Sequence, residues 1–241
     1  MAGHSKWANI KHQKAKADAK KGKVFSRIAK EIISAVKVGG SPDPKSNPRL
    51  RLALVKAREN NVPNDIIDRN IKKASSADQA NYDEVTYELY GHGGVGIIAD
   101  GLTDNKNRMA SELRIATNKR GGVIATPGAV AFNFDRKGVI QVLKKNTTED
   151  ALFLAATEAG AEDFEAEEDV FIVTTDPADL FKVQENLAKH NIKVESSILT
   201  MFPKVEVECD AETAKANLAL IEWLENIDDV DEVYHNMKLP E

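Results

Sequence analysis

Residues 138–202 carry six segments whose hydrophobic period switches in a fixed order. GVIQVLK reads as a strand, TEDALFLAATEAG has helical spacing, AEDFEAE and DVFIVTT read as strands, PADLFKVQENLAKHN is helical again, and KVESSILTM returns to a strand. Strand, helix, strand, strand, helix, strand is the ferredoxin-like βαββαβ order. Short, uncrossed connections leave such a series few ways to fold.

The flanks do not repeat this pattern. EVTYELY at 84–90 alternates as a strand, GHGG follows, and Val95–Ala99 resumes an apolar run, so a hairpin is expected. Thr103-Asp104 can cap a helix running to about Arg120, which Gly121-Gly122 ends, and Val130–Phe134 reads as a further strand. After Pro203, Val205–Cys209 reads as a strand, Ala211–Glu225 as a helix and Asp231–His235 as a short strand. That tail has no core of its own, so it is expected to complete the sheet of residues 82–136, with 138–202 inserted between.

The first 75 residues are helical in pattern. Phe25, Ile28, Ile32 and Val36 recur at helical spacing, while Lys23, Arg27, Lys30 and Lys37 lie on a different stripe, and Gly39-Gly40 ends the run. Asn47-Pro48 supplies an N-cap and an N1 proline for a helix to about Asn60. Pro63-Asn64 starts another, with Asp65 and Asp68 in its first turn and Lys72 and Lys73 in its last. The chain is therefore expected to be α+β: an N-terminal helical domain followed by two α/β sandwich-like domains, one ferredoxin-like and inserted in the other. The boundaries are 1–78, 79–136 plus 204–241, and 137–203.

Charge divides along the same lines. Residues 1–76 hold 18 Lys/Arg against 6 Asp/Glu, although the whole chain of 241 residues carries a net charge of -5. A basic head on an acidic body attracts polyanions at one end and repels them elsewhere. His4, Ser5, Lys6, Trp7, Asn9, Lys11 and His12 combine cations, hydrogen-bonding side chains and a ring able to stack on a base. The expected nucleic-acid contacts are His4, Lys6, Trp7, Asn9, Lys11, Lys14, Lys16, Lys20, Lys21, Lys23, Arg27 and Lys30. Docking of Trp7 on the helical core is the alternative for that residue. Asn105, Lys106, Asn107 and Arg108, at an expected helix N-terminus, form a second candidate contact. Helix capping accounts for Thr103 and Asp104 without any ligand.

Catalytic signatures are sparse. The five histidines and Cys209 form no H-x-x-x-H or C-x-x-C pair, so no metal site and no cofactor is expected. The Gly91–Gly96 cluster is followed by a strand rather than a helix, which favours a hairpin turn over a phosphate loop. The carboxylates of 158–169 read as a solvated face. No apolar run approaches the ~20 residues of a membrane span. A single cysteine fits a reducing cytosol.

The opening MAGHSKWANIKHQKAKADAKKGKVF resembles the YebC/PmpR family, and the likeness continues through NPRLR at 48–52, TDNKNR at 103–108, the GG of 121–122, EAGAED at 158–163 and EVYHN at 232–236. The resemblance implies a cytoplasmic, non-enzymatic, three-domain protein whose helical first domain faces nucleic acid. The family is usually described as DNA-binding transcriptional regulators; some members, including mitochondrial relatives, act in translation and in relief of difficult peptide synthesis. The partners expected are thus DNA or ribosomal RNA, with the ribosome itself as a further partner, and no membrane. The residues themselves show no clear helix-turn-helix pair and no heptad seam, which leans towards structured RNA. A nucleic-acid enzyme would need a nucleophile–base pair or a metal-carboxylate cluster; a protein adaptor using the ferredoxin-like domain is the remaining alternative.

Overall fold

The computed structural model describes residues 21–76 and 81–238. The described residues form two compact units, 21–132 with 205–238, and 133–204.

The larger unit begins with three helices, α1 (Lys21–Gly39), α2 (Pro48–Glu59) and α3 (Asn64–Ala74). Ile28, Ile32, Ile33 and Val36 of α1 pack with Leu50, Ala53 and Ala57 of α2 and Ile67 of α3. The apolar spacing in α1 is thus the stripe that builds this core. Asn47 fixes the α1–α2 corner. Its side-chain oxygen accepts from Leu50 N at 3.1 Å, and its amide donates to Ala35 O and Ser41 O, each at 2.8 Å. The Asn-Pro pair therefore caps α2 as its sequence requires.

The same unit continues as a sheet of β1 (Asp83–Tyr90), β2 (Gly96–Thr103), β3 (Val123–Ile124) and β8 (Val230–His235), in the order β3-β1-β2-β8. All of its pairings are antiparallel. Two helices, α4 (Lys106–Arg120) and α7 (Ala211–Asn226), pack against each other beside it. The tail does return to this sheet through β8. The glycine cluster after β1 is a tight turn with one 3₁₀ segment at His92–Gly94. Asn217 of α7 pins it: its oxygen accepts from His92 N at 2.8 Å and its amide donates to His92 O at 3.0 Å. A side chain at Gly91 would collide with that amide group, so a glycine is needed there for close approach.

The inserted unit is the expected βαββαβ series: β4 (Phe134–Leu143), α5 (Glu149–Ala159), β5 (Asp163–Ala166), β6 (Val170–Thr175), α6 (Leu180–Lys189) and β7 (Ser196–Pro203). The strand order is β5-β6-β4-β7, antiparallel throughout. Its ends meet where Lys204 N donates to Asn133 O at 2.8 Å.

Three local expectations are corrected. Val130–Phe134 is not a separate strand; Ala131–Asn133 is a 3₁₀ turn and Phe134 opens β4. Two backbone N–H groups of this stretch, those of Val130 and Ala131, go to a buried carboxylate rather than to a ladder, as described below. Val205–Cys209 is not a strand either: it makes one isolated parallel bridge, Val207 with Met237. Finally, Thr103 ends β2, and the cap of α4 is Asn105, whose side chain accepts from Arg108 N at 3.0 Å.

Candidate nucleic-acid interface

The site residues expected between His4 and Lys20 lie outside the described residues, as do the side chains of Lys21 and Lys23. Arg27 and Lys30 are described, and both are held by the protein itself. Arg27 Nη2 donates to Val230 O at 2.6 Å and to Glu225 O at 3.2 Å, and its Nε stands 3.7 Å from Asp231. Lys30 Nζ donates to Asp228 O at 2.9 Å and pairs with Asp229 at 3.5 Å.

Asp229 is the centre of this cluster. Its side chain is 1% exposed. Arg108 reaches it with two prongs, Nε to Oδ2 at 2.8 Å and Nη2 to Oδ1 at 2.7 Å, and also bonds Asp104 at 2.8 Å. Burial opposes the charge on Asp229, yet the Arg108 hydrogen bonds and the nearby Lys30 outweigh it and hold the carboxyl below its usual range. Asp231 differs: burial, reinforced by Glu31, pushes its carboxyl up to about 7 against the pull of Arg27 and Lys30.

Local backbone geometry places these acids. The β2–β8 register shifts between Asp100 and Gly101, which leaves Asp231 without a partner across the ladder. Gly101 sits so close to the backbone carbonyl of Asp229 that a side chain there would overlap it. The bulge and the glycine together let the turn before β8 fold over towards α1. Lys56 of α2 completes this polar seam by pairing with Glu31 at 2.7 Å.

The four residues of the second candidate contact serve different ends. Asn105 caps α4, Lys106 pairs with Asp83 at 3.2 Å, Arg108 grips Asp229, and Asn107 is exposed. Outward cations in the head are Lys45, Arg58, Lys72 and Lys73, all exposed. Arg49 pairs with Glu84 at 2.9 Å and Arg69 with Asp65 at 3.6 Å. Asp65 is exposed in the first turn of α3, and Asp68 is exposed just beyond that turn.

Sequence reasoning missed two polar anchors. Glu88, 7% exposed on β1, accepts from Gly128 N and Val130 N at 2.6 Å and from Ala131 N at 2.7 Å. Burial works against its charge, but the three N–H donors together hold its carboxyl below the usual range. The sequence carried no signal for it: strand alternation puts Glu88 on the same face of β1 as the exposed Glu84 and Thr86. Asn236, in the EVYHN stretch, accepts from Gly96 N at 2.7 Å and donates to Val205 O at 3.2 Å. Cys209 is half-buried, and burial beside Asp210 pushes its thiol up, which suits a packed thiol rather than a nucleophile. Among the described residues no group of three or more His, Cys, Asp or Glu could hold a metal ion, and no helix is long and apolar enough to cross a membrane.

Known proteins resemble this chain along its whole length. The model of the TACO1/YebC protein N-terminal domain matches residues 5–77, and that of the TACO1/YebC second and third domain matches 82–237. A protein of Protochlamydia amoebophila named a probable transcriptional regulatory protein is 70% identical over 241 residues, covering 100% of this chain and 98% of the relative. A protein of the same name from Chlamydia trachomatis serovar L2 is 58% identical over 238 residues, 98% of this chain and 100% of the relative. The crystal structure of a conserved hypothetical protein from Aquifex aeolicus superimposes with a TM-score of 0.82 at 41% identity, covering 94% of each chain. With both family models matched in order over nearly the whole chain, the chain belongs to the TACO1/YebC family.

Proposed function

We propose that this protein is a non-enzymatic regulator of gene expression that holds nucleic acid with its helical head. The observation that carries the reading is the division of labour among the cations. Arg27, Lys30, Lys56 and Arg108 face carboxylates or backbone carbonyls of their own chain. That leaves the head's exposed Lys45, Arg58, Lys72 and Lys73 as positive surface offered outward, to which the sequence adds the lysines crowded into 6–23. Of the second candidate contact, Asn107 is the member whose position best suits a ligand. The names of the chlamydial relatives favour DNA and transcription as the setting.

A second reading, a structured-RNA or ribosome-bound translation factor, has one specific observation in its favour. The link from α2 to α3 is short, as in a helix-turn-helix, but α3 carries the exposed acid Asp65 in its first turn and the exposed Asp68 just beyond it. A recognition helix enters the major groove with its N-terminal residues, where such acids would face phosphate. Crosslinking in cells, with bound RNA and bound DNA sequenced in parallel, separates the two: enrichment of one polymer over the other decides. Replacing Lys11, Lys14, Lys16, Lys20 and Lys21 by Ala tests the head itself. For every phosphate that a removed lysine had neutralised, the slope of log K against log salt should fall by about 0.7–0.9. An unchanged slope removes these lysines from the interface.

A further inference from the structure

The ferredoxin-like unit carries an exposed apolar patch of its own. Its helix α5 turns Leu152, Ala155, Ala156 and Ala159 inward. The small alanines account for that packing face, yet Phe153 and Leu154 stand on the opposite side, 53% and 61% exposed. Adjacent large apolar side chains on an outer helix face are costly to leave in water, and such patches mark interaction sites. The Phe153 ring is held edge-on against Phe164 at 5.7 Å, and Phe164 lies 5.5 Å from Phe171, so the patch rests on a fixed aromatic base.

Its surroundings have one sign. Residues 149–169 contain nine Asp or Glu and no Lys or Arg. Asp150, Thr157 and Glu158 share the outer face with Phe153 and Leu154. Three cations of the same unit are engaged within it: Lys137 with Glu162 at 2.7 Å, Lys144 over the Phe171 ring at 5.4 Å, and Lys182 with Asp179 at 4.0 Å. A nucleic-acid backbone would be repelled here. A solvated charge run explains the acids but not the two apolar residues among them.

We propose that the outer face of α5 docks a cationic protein segment that presents apolar side chains along one side. The acids steer the encounter and exclude polyanions, while Phe153 and Leu154 supply the buried contact. This surface is independent of the head, so it stands or falls separately from the nucleic-acid reading.

The probes are two synthetic helical peptides of roughly 14 residues, about 21 Å long. One is Lys-rich with Leu at i, i+3, i+4 and i+7; the other has Ser at each Leu. Binding to the full chain is followed by fluorescence anisotropy at low and at physiological salt, with an RNA duplex as a third probe. The Leu peptide should bind about tenfold tighter than the Ser peptide. Phe153→Ser with Leu154→Ser should abolish that difference and leave RNA binding unchanged. Asp150→Lys with Glu158→Lys should weaken both peptides, and both variants should stay folded, the Phe153/Leu154 variant with a slightly lower melting temperature because the Phe153 ring leaves Phe164. Equal binding of the two peptides, or an unaltered preference in the Phe153/Leu154 variant, overturns the proposal. So does a loss of RNA affinity in that variant, which would make the face a nucleic-acid contact instead.

Discussion

Arg108→Ala should destabilise the larger unit rather than weaken a ligand. The guanidinium makes two hydrogen bonds to Asp229, at 2.7 and 2.8 Å, and that carboxylate is 1% exposed. Removing one partner of a buried ion pair costs about 3–5 kcal/mol, because the other charge is left unpaired. Two features lower that figure. Lys30 remains 3.5 Å from Asp229, and the Arg108 side chain is 46% exposed, so solvent screens part of the attraction. A loss of about 2–3 kcal/mol remains. With a urea m-value of about 2 kcal/mol per molar, the denaturation midpoint should fall by roughly 1–1.5 M. The chain has two tryptophans. In a Trp7→Phe background the fluorescence of Trp223, on α7 in the same unit, reports this transition separately from the inserted unit. Asp229→Asn should cost a similar amount, and the double variant should cost less than the sum of the two, with a coupling of about 2 kcal/mol. Additive losses would refute the pairing. An unchanged midpoint with reduced nucleic-acid affinity would return Arg108 to the binding surface and refute the structural role.

Three other perturbations test neighbouring features. Glu88→Gln leaves one oxygen facing three N–H donors, so it should cost about 2–4 kcal/mol and speed amide exchange at Gly128, Val130 and Ala131. Because the folded carboxyl is held low, its contribution is present above about pH 4.3 and lost as pH falls through the folded value; the Gln variant should lack that acid dependence. Asp231, pushed up to about 7, acts in the opposite sense: its contribution is full below about pH 3.9 and lost as pH rises to 7. Asp231→Asn should therefore flatten the fall in melting temperature between about pH 4 and pH 8, and parallel curves for the two proteins would exclude the assignment. Asn47→Ala removes the α2 cap and the donor to two carbonyls, so urea titration should show a loss of about 2–3 kcal/mol in the head's transition.

What the sequence makes legible is whatever depends on neighbours along the chain. The α1 stripe, the Asn47-Pro48 start and the βαββαβ series are all local patterns, and each appears where its residues place it. Val205–Cys209 misleads because an alternating apolar run needs a partner strand, and here it meets only Met237. Val130–Phe134 misleads for a related reason: its first two N–H groups are taken by Glu88, some 40 residues earlier. The polar seam was invisible for the same cause. Arg27, Lys30 and Arg108 read as free cations until Asp229 and Asp231 are brought to them from a distant segment, and a glycine and a bulge that do this carry no charge signal. The nine acids of 149–169, by contrast, could be seen at once, but not the apolar pair that the helix turns outward among them.

The late arrival of β8 has a consequence during synthesis. Arg27 bonds a carbonyl 203 residues downstream. At about 5–20 residues per second, roughly 10–40 s pass between translation of the two. Throughout that interval the nascent head carries its cations without the carboxylates that later neutralise Arg27 and Lys30. The inserted unit softens the delay. Once folded, it brings residues 133 and 204 side by side, so about 70 residues drop out of the loop that β2 and β8 must close. The emerging chain thus begins as a polycation beside the ribosome that made it. It becomes a molecule with a defined, partly neutralised basic face when β8 is added to the edge of the sheet beside β2.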